Sequence, residues 1–537
     1  MKESLVKGDL GGSLTGGDSK VKVYYVNECV SLDEVLPSTD KQKEANEGQK
    51  EETGVKTEIK VFKRRWYVLL IFSLYAMTQC AVWNTWGPIA TTSKDAFGWS
   101  NATVAWMTNW GPISFVLCGF LFPWILQVKG LRWATLPSML LVFLGTCCRV
   151  ITSDSESATI LIHIGQFLNG LAGPIAMGGF PTLSAAWFPP GQRVTATAIG
   201  VSLTFCGGAL SFVLGPKLVS VGPPNTGNQS GHALLNVTGC SPADECEVFD
   251  VFNISSSNST LAADRRVRLE KEEILKYMYY ECGWAGLIML ALLLYFPSTP
   301  PQPPSVTATT SRDVYWPGLW SLRKNTHFLL LTSVYGVSTG VMACWGTVLN
   351  VILEPFGVSE DKAGWLGFYS TLASSTMCLL VGRFSDRFVH HMKVYILVLF
   401  VLGAGCFTLF LLMFYQVLGF TDAVLYSSVI GGQTLIYAAI PLMYEMGCEL
   451  AYPTSEGAAN GFLTIVNNIV GLLFLVVFAF PDVGTRWTSG AALGSVVVCI
   501  PMILLLKNNF NRLKVDEGLK PEDIQVTVEK NNVKACN

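Results

Sequence analysis

Charge is what this sequence has least of. Only 14% of its 537 residues are charged, while 50% are hydrophobic and the mean hydropathy is +0.40. Soluble domains usually carry about 25% charge, so the scarcity excludes a soluble globular protein and points to an integral membrane protein. The net charge of −2 says nothing about nucleic acid, and no basic tract suggests it, so no nucleic-acid partner is expected. No CxxC or Cys/His cluster has metal-site spacing, and most of the fifteen cysteines lie inside apolar runs, where they act as small hydrophobes. There is no nucleophile triad and no P-loop, and the Gly-x-Gly patterns fall in apolar spans rather than after strands. An enzyme and a bound cofactor are therefore not expected. Nor is a cleavable signal, since the first sixty residues have no apolar core behind a basic start.

What the chain does have is a succession of apolar runs about twenty residues long, the length that crosses a bilayer as a helix. They lie near 66–89, 104–127, 132–152, 159–181, 194–215 and 281–296, then 326–352, 364–382, 394–416, 424–446, 461–480 and 488–506. The fold class is thus an all-α membrane protein of twelve transmembrane helices in two six-helix halves, 61–296 and 326–506. A Pro-rich linker, 297–325, joins them, and polar tails at 1–60 and 507–537 flank them, the first reading as disordered. Two six-helix halves are the arrangement in which a solute sits at mid-membrane between them.

Short loops carrying Lys63, Arg64, Arg65, Lys129, Arg132, Arg193, Arg323, Lys324, Arg383, Arg387, Lys393, Lys507 and Arg512 fall on one side. The other side's short loops hold only Lys94, Arg149, Lys362 and Arg486. Positive residues stay in the cytoplasm, which puts both termini there. The long loop 217–280 then lies outside, with sequons at Asn228, Asn236, Asn253 and Asn258, and Asn101 adds a fifth on the same side. Cys240 and Cys246 share that loop, where an oxidising lumen allows a disulfide, with Cys282 as a competing partner. Residues 261–280 read as a short surface helix leading into the sixth span.

The most unusual stretch is 74–92, at the far end of the first span. Gln79, Trp83 and Trp86 fall at i, i+4 and i+7 and would share a helical face, Asn84 sits just off it, and Gly87-Pro88 interrupts the helix. Irregular backbone at membrane depth is tolerated only where protein or a water-filled cavity satisfies it. The stretch reads either as the wall of a solute pathway or as an interfacial tryptophan belt with packing polars. Trp345 in the seventh span and the Asn467-Asn468 pair in the eleventh supply further rings and amides.

Ionisable groups within spans default to function. Glu445 and Glu449 lie one turn apart at the inner end of the tenth span, and His163 near the outer start of the fourth. A protonatable carboxylate loaded on one side and unloaded on the other is what proton-coupled transport needs. The structural alternative is that Glu445 or Glu449 pairs with Arg383 or Arg387 at the cytoplasmic rim, and that His163 is interfacial.

Lys129-Gly-Leu-Arg132 after the second span and Gly382-Arg-Phe-Ser-Asp386-Arg387 after the eighth resemble the paired loop motif of the major facilitator superfamily, with Gln127 where an aspartate is usual. Arg64-Arg-Trp-Tyr-Val-Leu-Leu, Val82-Trp-Asn-Thr-Trp-Gly-Pro-Ile and Gly165-Gln-Phe-Leu-Asn-Gly-Leu-Ala-Gly-Pro174 look like solute carrier family 49, as do Trp187-Phe and Arg193-Val-Thr-Ala-Thr-Ala-Ile. Glu445-Met-Gly-Cys-Glu-Leu-Ala-Tyr-Pro-Thr-Ser-Glu-Gly457 resembles that family's tenth-to-eleventh-span signature. The resemblance covers about 64–510 and is nearest to the branch of the family's fourth member, the disrupted in renal carcinoma protein 2 type.

That resemblance implies a lysosomal, proton-dependent carrier of pyridoxine (vitamin B6), a membrane glycoprotein and symporter. Gly382, Arg383, Asp386 and Arg387 would form the gating loop. The sister branch, the feline leukaemia virus subgroup C receptor type, carries choline in an aromatic cage and has been linked to haem. Trp83 matches its cage tryptophan, but the cage tyrosine falls on Ala343, the fourth-span glutamine on Gly173, and the eleventh-span glutamine on Asn468. The expected substrate site is Gln79, Trp83, Asn84, Trp86, Trp345 and Asn468, with Glu445, then His163 and Glu449, for the proton. Partners are a small solute, protons and the bilayer, with no nucleic acid, and a monomer is expected. The family's lysosomal acidic dileucine signal is not matched, since Leu32-Asp-Glu-Val-Leu36-Pro37 has a single leucine at the required place, so the plasma membrane stays open. A pH-independent choline or haem-related facilitator, or a non-transporting receptor or scaffold, are the alternatives.

Overall fold

In a bilayer every backbone N–H and C=O must be satisfied within the protein, and a helix does so along its own length. The structure is a computed structural model and describes residues 59–219, 249–308, 312, 314–478, 485–507 and 509–518. Cys240, Cys246, Asn228 and Asn236 lie outside these residues. Asn101 falls on the first residue of one helix, and Asn253 and Asn258 fall on another.

The first half contains α1 (Arg64–Trp83), α2 (Asn101–Cys118 continued by Leu121–Lys129), α3 (Leu131–Arg149), α4 (Ser155–Gly178), α5 (Arg193–Leu218) and α6 (Phe249–Leu294). The second contains α7 (Thr326–Thr347), α8 (Glu360–Arg387), α9 (Met392–Phe414), α10 (Asp422–Ala451), α11 (Glu456–Phe478) and α12 (Arg486–Leu505). A short α13 (Asn511–Asp516) follows. Among the described residues eleven helices are long and apolar enough to cross a membrane singly, and α2, bent by 55° between its two parts, makes the twelfth.

Several spans start on a side-chain cap that the sequence spells out. Ser100, Asp154, Asn325, Ser359 and Thr421 each accept the N–H three residues on, at the starts of α2, α4, α7, α8 and α10. Each cap satisfies a donor that has no partner within its helix, for about 1 kcal/mol. The sixth span differs from its expected form. Residues 261–280 are not a separate surface helix but part of α6, which runs unbroken for 46 residues because no Gly or Pro interrupts 249–282.

The halves meet where α5 runs along α8 and α2 along α11. The α5–α8 contact is close because Gly382 has no side chain: a Cβ there would lie 2.3 Å from that of Ala198. Lys60, the linker and α13 lie together at one end of the bundle, the terminal face, where the Lys60 N–H donates to the Pro303 carbonyl at 3.2 Å and the Thr307 N–H to Asp516 Oδ1 at 2.8 Å.

Candidate functional site

The first span was expected to run to 89, but α1 stops at Trp83, where the Asn84 N–H turns back to the Cys80 and Ala81 carbonyls. The side chains at this broken end face a cavity of about 1040 Å³ between the two halves. Gln79, Trp83 and Asn84 line it from α1, with Phe115 and Gly173 from α2 and α4 and Phe205 from α5. The second half contributes Tyr335, Thr339 and Ala343 of α7, Gln433 and Tyr437 of α10, and Asn467 and Asn468 of α11. The lining continues to the exposed Lys217 and Ser359, so the cavity opens toward the face opposite Lys60 and α13.

Most of the polar wall residues are held by hydrogen bonds. The Trp83 indole N–H donates to the Thr108 carbonyl at 3.1 Å, and the ring lies over Gly111, where a Cβ would come within 2.4 Å of Nε1. Gln79 and Asn169 exchange amide-to-carbonyl bonds between α1 and α4 at 3.3 and 3.2 Å. Asn84 Nδ2 donates to Ser211 Oγ at 2.9 Å and to the Gly208 carbonyl at 3.3 Å. Asn467 Oδ1 accepts from Thr339 at 2.7 Å, and Asn468 Nδ2 donates to the Thr464 carbonyl at 2.8 Å. Gln433 has no side-chain hydrogen bond to another described residue, and its amide is free for a solute. Phe205 and Tyr437, with centroids 5.3 Å apart, form a ring pair across the halves. Among the described residues, Lys217 at the rim is the only one of formal charge on this lining.

Two expected site residues are not on the cavity. Trp86 is 1% exposed, with its ring 5.1 Å from that of Trp99 and 5.9 Å from the Arg149 guanidinium. Because the helix ends at Trp83, the i+7 spacing no longer carries Trp86 onto the face of Gln79. Trp345 is fully buried edge-on against Phe407 and Phe410 of α9. It lies two residues past the cavity-lining Ala343, about 200° around α7, which points it away. His163 is also off the cavity, its Nδ1 accepting from the Trp110 indole at 2.8 Å between α4 and α2. Phe205, Tyr437 and Gln433 were not singled out from the sequence. The polar run Ser427-Ser428 to Gln433-Thr434 in an apolar span was the available signal for Gln433.

The terminal end is shut beneath the cavity. The hydroxyls of Tyr335 and Tyr444 meet at 2.9 Å, both fully buried. Below them Arg512 of α13 binds Glu445, Glu449 Oε1 at 3.3 Å and Glu456 Oε1 at 3.3 Å. Glu449 Oε2 also accepts the Arg512 and Leu513 N–H groups at 3.0 and 3.1 Å, and Arg312 meets Glu456 at 2.6 Å. Arg193 at the start of α5 reaches Asp516 at 2.9 Å and Ser305 at 2.7 Å. Burial disfavours the Arg512 charge, but Glu445, Glu449 and Glu456 outweigh it and hold its pKa well above the ordinary value.

The glutamates therefore pair with Arg512, and not with Arg383 or Arg387, which are exposed. In the loop motif it is Asp386 that bridges the halves, accepting the Val194 and Thr195 N–H groups at 3.1 and 2.8 Å at the positive end of α5. Gln127, where the motif usually has an aspartate, accepts from Ser455 at 2.6 Å, so a neutral bond joins α2 to the start of α11.

A cavity between two six-helix halves, open at one end and closed by ion pairs at the other, defines a membrane solute transporter. The profile of the Major Facilitator Superfamily matches residues 71–226 and 276–475. The solute carrier family 49 member 4 homolog of Xenopus laevis is 36% identical over 461 residues, 85% of this chain and 94% of the relative. The choline/ethanolamine transporter FLVCR1 of Mus musculus is 26% identical over 478 residues, 86% of this chain and 78% of the relative. Among solved structures, the E. coli fucose:proton symporter FucP shares the fold, with a TM-score of 0.57 at 12% identity over 83% of this chain and 100% of that one. The chain belongs to the Major Facilitator Superfamily and, within it, to solute carrier family 49.

Proposed function

We propose that this protein moves a small uncharged heterocycle, pyridoxine first among candidates, by alternating access driven by protons. The observation that carries the reading is the cavity wall, which among the described residues offers rings and amides but no charge deeper than Lys217. A pyridine ring bearing hydroxyls would stack on Trp83 and the Phe205–Tyr437 pair. Its hydroxyls would bond to the Gln79, Asn84, Gln433 and Asn468 amides. An anion or a carboxylate-bearing metabolite would find no counter-ion, and desolvating it there would be costly. A quaternary ammonium is the second reading, favoured by the same rings and by the choline/ethanolamine relatives. Against it stands Ala343, where the sister branch has its second aromatic wall.

Glu445 is the proposed proton carrier. Among the described residues, Glu445, Glu449, Glu456 and Asp516 outnumber Arg193, Arg312 and Arg512 in the terminal cluster, and Glu445 Oε2 is buried without a partner. A proton there removes the excess charge and loosens the hold of Arg512, which would let the terminal face open. His163 and Glu449, bound to Trp110 and to the α13 backbone, are assigned no proton. The excess of Lys and Arg on the terminal face supports a cytoplasmic position for that face, and the family resemblance alone supports the lysosomal over the plasma membrane.

Uptake of labelled pyridoxine and labelled choline into sealed vesicles, with and without a proton gradient, tests the reading. Gradient-driven pyridoxine uptake that Trp83→Ala abolishes, at unchanged protein abundance, supports it. Choline carried equally well at every pH, or normal transport by Trp83→Ala, overturns it.

A further inference from the structure

Arg149 looks in the sequence like a loop cation at the end of the third span, yet it is only 1% exposed. It lies behind the cavity wall, at the end of α1. A helix leaves its last four carbonyls without internal partners, and at membrane depth each must be satisfied. The Cys80 and Ala81 carbonyls take the Asn84 N–H. Arg149 Nη2 donates to the Val82 carbonyl at 3.1 Å, and Gln166 Nε2 donates to that of Trp83 at 3.3 Å. The same Arg149 Nη2 grips Gln166 Oε1 at 2.6 Å, so one guanidinium governs both bonds. Glu281 of α6 holds it in turn, Oε2 at 3.3 Å from Nη1, while Oε1 accepts from Thr85 at 2.6 Å. A cation at a helix C-terminus is also favoured by the helix dipole.

We propose that Arg149, braced by Glu281 and acting with Gln166, is a positioning residue that fixes the broken end of α1 and so aims Trp83 and Asn84 into the cavity. Neither Arg149 nor Glu281 lines the cavity, so their effect on a solute is indirect. This inference rests on the cavity being the solute site.

Arg149→Met should raise the KM for labelled pyridoxine about tenfold, the loss expected when one charge-assisted hydrogen bond that orders the site is removed, with kcat little changed. Gln166→Leu should do the same. The double variant should be little worse than either alone, because the Arg149–Gln166 bond joins the two carbonyl contacts into one network. An unchanged KM in both single variants overturns the proposal. If Arg149→Met does not fold, Gln166→Leu decides by itself. A measurement without solute separates this proposal from the transport reading. In an Asn84→Cys protein, site-resolved labelling by a water-soluble maleimide should speed up when Arg149 or Gln166 is replaced, and an unchanged rate overturns positioning. If Trp83→Ala keeps a normal KM while that labelling still responds, the solute site is wrong and the positioning stands.

Discussion

The two ends of the passage between the halves are built on opposite principles. The open end is lined by amides, hydroxyls and rings, and among the described residues its charge is confined to Lys217 at the rim. The closed end packs Arg193, Arg312 and Arg512 against Glu445, Glu449, Glu456 and Asp516, all but Arg312 almost wholly buried. Neutral polar groups hold water loosely and release it cheaply to a solute. Opposite charges deprived of water bind strongly, and become a liability when one partner is lost. A carrier needs one end that wets easily and another that stays shut until something changes its charge. The contrast supports the proposed division, with selectivity at the cavity and coupling at the terminal face.

The largest effect should come from Arg512→Ala. It leaves Glu445 and Glu449 buried without their cation while Glu456 keeps Arg312, and removing one partner of a buried ion pair costs about 3–5 kcal/mol. The terminal face should lose its closure, with thermal unfolding at lower temperature and new reactivity of introduced cysteines around Glu449 to thiol reagents added from that side. Unchanged unfolding and labelling would mean that the ion pairs do not hold the gate.

Much of this contrast was legible in the sequence. Twelve apolar runs gave the span order, and the tryptophan, glutamine and asparagine of the first span pointed to the cavity because such groups rarely face lipid. Their exact partners were not legible. Trp86 was misplaced by a periodicity that holds only inside a helix, and α1 ends three residues earlier. Trp345 was misplaced because an indole in a span signals either a pathway or a packed core, and the sequence does not say which. The partner of Glu445 lies 67 residues away on α13, beyond the last span, and no local spacing foretells that contact. Arg149 was read as a loop cation because hydropathy cannot show that α1 breaks beside it.

A smaller effect should follow from giving the cavity a second aromatic wall. Ala343→Tyr places a ring on α7 across the cavity from Trp83, at the position where the sister branch has its cage tyrosine. A desolvated cation gains about 1–2 kcal/mol from such a face, so choline should improve roughly tenfold relative to pyridoxine in a competition assay. No shift in that ratio would mean that position 343 does not set selectivity.

The smallest effect is expected where the sequence suggested one of the largest. Trp345→Phe removes an indole whose N–H has no partner among the described residues and whose ring only packs on Phe407 and Phe410. Losing that N–H costs nothing, and the lost ring volume, partly refilled by phenylalanine, should cost about 1 kcal/mol of stability. The pyridoxine KM should stay within about twofold of the parent, since differences below roughly 0.4 kcal/mol fall in that range. Uptake kinetics and thermal unfolding, measured on the same preparation, separate the two roles. A raised KM with unchanged unfolding would return Trp345 to the solute site and move the cavity wall toward α9. A slightly lower unfolding temperature with the parent's KM would leave the indole where its neighbours put it, in the packing that keeps α7 and its cavity face in place.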